Sequence, residues 1–74
     1  MATQTLDVKG LNCPMPVLKT KKAMKALCNG ETLEVESTDP GSVEDLKAFC
    51  RATGDEVLES YEEDGVFRFL LRKG

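Results

Sequence analysis

The sequence predicts an α/β fold of the two-layer α+β type: a four-stranded mixed sheet in β-α-β-α-β-β order, with both helices packed on one face. Three observations lead there. Turn signals recur at Lys9-Gly10, Asn29-Gly30, Asp39-Pro40-Gly41, Gly54-Asp55 and Asp64-Gly65, and they cut the chain into six segments. Four of these segments have strand character and two place apolar residues at helical spacing. Two helices are too few to cover both faces of a four-stranded sheet, so one face is left open. The 74 residues form one expected domain, residues 1–74, without linker, repeat or low-complexity tract.

The elements follow in order. Thr5 to Val8 alternates, with Leu6 and Val8 on one side, and reads as a short strand. Pro14 to Cys28 reads as a helix. Val17, Thr20, Met24, Leu27 and Cys28 fall on its inner side and Lys19, Lys22 and Lys25 on its outer side, and Asn29-Gly30 stops it. Thr32 to Ser37 alternates again with Leu33 and Val35 inward. Ser42 is the expected N-cap of the second helix, with Glu44 and Asp45 in the first turn. Val43, Leu46, Phe49, Cys50 and Thr53 make its apolar stripe, and Gly54 ends it. Val57 to Glu62 and Val66 to Arg72 are two strands joined through Asp64-Gly65, a hairpin signal. The last strand turns Phe67, Phe69 and Leu71 to one face and Val66, Arg68, Leu70 and Arg72 to the open one.

Composition excludes several function classes. Histidine is absent, which removes histidine general bases and imidazole metal ligands. Aromatic residues are 5% and the net charge is −3, so direct nucleic-acid binding, which needs a basic footprint and stacking side chains, is not expected. No apolar run is long enough for a membrane span, and the N-terminus lacks a basic and apolar leader, so a cytoplasmic protein is expected. Three widely spaced cysteines, an odd number, agree with a reducing compartment and form no zinc site. Charge is divided along the chain. Residues 1–30 carry a net +4, mostly from Lys19, Lys21, Lys22 and Lys25, and residues 31–74 carry a net −7. The first helix is a basic ridge on an acidic body.

The chemistry is expected at the tip of that ridge, in Gly10-Leu11-Asn12-Cys13-Pro14-Met15-Pro16. Cys13 falls in the N-cap region of the first helix and Pro14 suits its first position. The positive end of the helix dipole and the following lysines favour the thiolate. Pro14 and Pro16 stiffen the approach. Cys28 and Cys50 fall on core sides of their helices and read as small buried hydrophobes, neither spaced as a CxxC partner of Cys13. Met15 and Leu18 lie near the tip on a poorly buried part of the wheel, ringed by Lys22 and Lys25. A cysteine with no base and no pocket suits exchange between proteins, which needs only a thiolate and access. A one-cysteine thiol enzyme (a sulfurtransferase or peroxidase), or a regulatory interaction domain with a structural Cys13, remains open on the residues alone.

Cys13-Pro14-Met15-Pro16-Val17-Leu18-Lys19-Thr20-Lys21-Lys22-Ala23 resembles the CPxP-x4-KK signature of TusA-type sulfur carriers, the TusA/SirA/YedF-like family. The resemblance continues through Leu6 to Leu11, Gly30 to Leu33, Thr38 to Val43, Phe49-Cys50, Gly54 and the closing Phe69 to Gly74. Asp55 stands where the family has a histidine. The resemblance implies the same β-α-β-α-β-β sandwich. It implies a sulfur carrier, rather than a stand-alone enzyme, whose Cys13 holds sulfane sulfur as a covalent persulfide, with no other cofactor and no metal. Pro14 and Pro16 would shape the helix start, and Lys19 and Lys22, with Met15 and Leu18, are the expected partner contacts. The implied partners are a donor protein (a cysteine desulfurase, a rhodanese or a DsrE-like protein) and an acceptor protein, met by a monomer. The sulfur would serve tRNA thiolation, cofactor sulfuration or cytoplasmic sulfur oxidation.

Overall fold

A computed structural model describes residues 4–12 and 14–74. The order is β1 (Gln4–Asp7), α1 (Met15–Lys25), β2 (Thr32–Ser37), α2 (Ser42–Thr53), β3 (Glu56–Glu63) and β4 (Val66–Arg72). The sheet runs β1-β2-β4-β3. β1 pairs parallel with β2, and the other two pairings are antiparallel, so the sheet is mixed, as the sequence predicts.

Register sets which residues face the helices. Leu33 lies opposite Leu71 and Val35 opposite Phe69, and all four are buried. They join Val8 from the β1 end, Met24 and Leu27 from α1 and its exit, and Leu46 and Cys50 from α2 in one core. A single core shared by both helices and one sheet face is the two-layer arrangement. Thr20 is fully buried within it and donates its hydroxyl to the Pro16 carbonyl (2.8 Å), so its polar group costs little there.

The opposite face is open and charged. Glu36 pairs there with Arg68 and Lys9, Lys9 also with Asp7, and Arg72 with Glu56. The hairpin forms as expected. Asp64 (φ 52°) and Gly65 (φ 79°) take the two positive-φ positions of a tight turn between the Glu63–Val66 pair. Between Val57 and Glu59 the register shifts, so Leu58 is an extra residue in β3, a bulge no alternation pattern signalled.

Several details differ from the sequence reading. α1 ends at Lys25, not Cys28. The Ala26 N–H reaches the Ala23 carbonyl and the Leu27 N–H the Met24 carbonyl, tightening the last turn. The chain then swings out, the Cys28 N–H bonds to Glu31 Oε1 (2.7 Å), and Cys28 is exposed rather than core. Gly41, not Ser42, is the N-cap of α2. Asp39 builds that entry: its carboxylate accepts the Gly41 N–H (3.1 Å) and its carbonyl accepts the Ser42 N–H and hydroxyl (2.6 Å for the latter). Thr53 is exposed, not on the inner stripe, and its hydroxyl donates to Asp55 (2.8 Å).

Candidate functional site

The expected site lies where β1 hands over to α1. Cys13 itself falls outside the described residues, so the site is built here from what flanks it. The Met15 N–H donates to the Asn12 carbonyl (2.9 Å), and the Leu18 N–H donates to the Pro14 carbonyl (3.1 Å). Pro14 is the N-cap of α1, not its first residue, and is exposed; Pro16 is in the first turn and buried. Two prolines remove two amides and Asn12 engages a third, so this helix end offers its dipole and few free N–H groups. No acidic residue stands in the first turn to quench that dipole.

Beyond the start, α1 presents an outward ridge. Met15 is 40% and Leu18 51% exposed, and Lys19, Lys21, Lys22 and Lys25 are exposed around them. None of these lysines forms an ion pair among the described residues, while Lys9, Arg68 and Arg72 all do. The ridge therefore keeps its charge available.

The packing splits the expected contact residues between two depressions. Leu18 and Lys21, with Pro14 and Val17, line one side of an open apolar groove of about 620 Å³ whose other wall is Phe49 and Ala48 of α2. Lys19 and Lys22 belong instead to a smaller cleft of about 320 Å³, between α1 and β1, floored by Leu6, Ala23 and Ala26. Met15 lines neither. The wheel predicts the ridge; the grooves depend on how far α2 and β1 stand from α1, which no local pattern encodes.

The two described cysteines differ sharply. Burial, and secondarily the negative charge of Asp55, push the Cys50 thiol up from 9.0 to about 11, so it stays protonated and unreactive. Cys28 is a free exposed thiol. Among the described residues no group of acids and cysteines gathers as a metal site, and no helix is long and apolar enough to cross a membrane.

The sequence profile of the family described as Sulfurtransferase TusA matches residues 4–73. This chain belongs to the TusA family. Among relatives of the family, the sulfur carrier protein TusA of Allochromatium vinosum is 53% identical over 70 residues, covering 95% of this chain and 92% of that protein. The YrkF protein of Bacillus subtilis is also 53% identical, over 73 residues, and this chain spans 40% of its length. Among solved structures, a SirA-like protein from Desulfitobacterium hafniense superposes with a TM-score of 0.86 at 30% identity, covering 96% of this chain and 97% of that one. TusA-family membership thus agrees with the resemblance read from the CPMP segment and with the fold.

Proposed function

We propose that the protein is a sulfur carrier that accepts sulfane sulfur on Cys13 and relays it to partner proteins. The observation that supports this most is the family match itself, which runs through Cys13-Pro14-Met15-Pro16 at the entry to α1. In the loading step the Cys13 thiolate attacks the outer sulfur of a donor persulfide. A new S–S bond forms, the donor's S–S bond breaks, and the donor leaves as its thiolate. The carrier is then a Cys13 persulfide, and delivery repeats the exchange with an acceptor. No general base is needed, because attacking and leaving groups are both thiolates.

The surroundings suit this exchange. A persulfide is more acidic than a thiol, and the unquenched dipole of α1 stabilises its anion. Pro14 and Pro16 fix the helix start. Met15 and Leu18 offer apolar contact, and Lys19 and Lys22 cationic contact, to a docking protein. The donor class is a cysteine desulfurase, rhodanese or DsrE-like protein. The acceptor is a protein of tRNA thiolation, cofactor sulfuration or sulfur oxidation.

The test is intact-protein mass spectrometry after incubation with a cysteine desulfurase plus cysteine and, separately, with thiosulfate or polysulfide. Wild type, Cys13→Ser and Cys28→Ser are compared, the last because Cys28 is also exposed. One added sulfur of about 32 Da, removed by dithiothreitol, retained in Cys28→Ser and lost in Cys13→Ser, is the expected result. An adduct that persists in Cys13→Ser, or none from any donor, overturns the assignment.

A further inference from the structure

The cleft between α1 and β1 has a construction of its own. β1 is an outer strand: it pairs with β2 on one side and with no strand on the other among the described residues. Its Leu6 faces the helix layer and is half-buried. Above it stand the short side chains of Ala23 in α1 and Ala26 at its C-cap, which leaves the cleft of about 320 Å³. Lys19 and Lys22, one turn apart on the same side of α1, stand over that opening without a carboxylate partner. An unpaired strand edge with an apolar floor and a cationic roof is a template for an incoming extended chain.

We propose that this cleft takes an extended acidic segment of a partner protein, added alongside β1 as a fifth strand. Such a strand would lie about 4.8 Å from β1, directly beside Leu6. Its helix-facing side chains alternate, so an apolar residue meets Leu6 and Ala23 while a neighbouring Glu or Asp two positions on meets Lys19 or Lys22. Charge selects the partner. The helix-facing positions of β1 itself are Gln4 and Leu6, so pairing two copies through β1 would supply no carboxylate to either pair of lysines. The inference builds on the reading of Lys19 and Lys22 as partner contacts, but its test reads binding alone, so its failure leaves sulfur loading of Cys13 untouched.

The experiment is a titration of isotope-labelled protein, followed by amide NMR, with the peptide acetyl-Thr-Val-Thr-Glu-Thr-Glu-Thr-amide and with its analogue carrying Lys for Glu. The expected result is saturable shifts at Gln4 to Asp7 and at Ala23 and Ala26 with the acidic peptide only. In Lys19→Glu/Lys22→Glu the affinity should fall about tenfold or more, and in Lys21→Glu, whose side chain lines the other groove, it should hold within about twofold. No saturable shift at millimolar peptide overturns the proposal. So do equal shifts with the Lys analogue, shifts centred on Phe49 and Ala48, or concentration-dependent shifts of β1 without peptide.

Discussion

Replacing Cys50 with alanine should flatten the alkaline limb of the protein's stability profile. Cys50 is 2% exposed on the inner side of α2, and its thiol is held at about 11 against an ordinary 9.0. The unfolded chain releases this proton near pH 9, whereas the native state keeps it until near pH 11. Over that window the native state binds more protons, so stability falls as pH rises and is fully present below pH 9. Each tenfold difference in proton affinity is worth about 1.4 kcal/mol, giving a loss of about 2–3 kcal/mol by pH 11. Cys50→Ala lacks this loss but gives up the packing of the sulfur, about 1–2 kcal/mol at pH 7. Wild type should therefore be the more stable protein at neutral pH, lose its lead above pH 9, and fall behind near pH 11. Urea unfolding followed by far-ultraviolet circular dichroism, under reductant and in steps from pH 7 to 11, measures both curves. The remaining titrating groups occur in both proteins and cancel in the difference. A difference between the two proteins that stays constant to pH 11 would refute the reasoning.

Three further outcomes are expected. Leu46→Ala, at a fully buried position between the layers, should cost about 2–5 kcal/mol in the same urea assay at neutral pH. Gly54→Ala should cost about 1 kcal/mol, because Gly54 closes α2 at φ +83° with open space around it, leaving backbone strain as the whole effect. Leu18→Glu, at an exposed site, should leave stability within about 0.5 kcal/mol while slowing sulfur loading from a protein donor and sparing loading from polysulfide, read by mass spectrometry over time.

Much of the fold was legible because its signals are local. Alternation marked Leu33 and Val35, the Asp64-Gly65 pair marked the hairpin, and the spacing of Leu46, Phe49 and Cys50 marked the inner side of α2. What was not legible depends on competition between neighbours. The wheel carried Cys28 inward, but tightening of the last turn at Ala26 and the pull of Glu31 on the Cys28 amide turned it out. Ser42 has the chemistry of an N-cap, yet Asp39 sits three residues earlier and takes the turn first. At the site, the outward set Met15, Leu18, Lys19 and Lys22 was readable from helical periodicity. Its division between two depressions was not, since Phe49 and Leu6, which form the facing surfaces, come from distant parts of the sequence.

The position of β4 has a consequence for how the molecule is made. This strand follows the other three in sequence, yet it lies inside the sheet, between β2 and β3. Until it arrives, β2 has only the four residues of β1 to pair with, and β3 has no strand beside it. During synthesis at roughly 5–20 residues per second, Leu33 and Val35 therefore wait about 2–8 s for Leu71 and Phe69. The sheet cannot mature from its first half outward. It closes only when residues 66–72 supply the strand that both β2 and β3 pair with. Loss of this single segment would leave the short β1–β2 pair and an unpaired β3 rather than a three-stranded sheet.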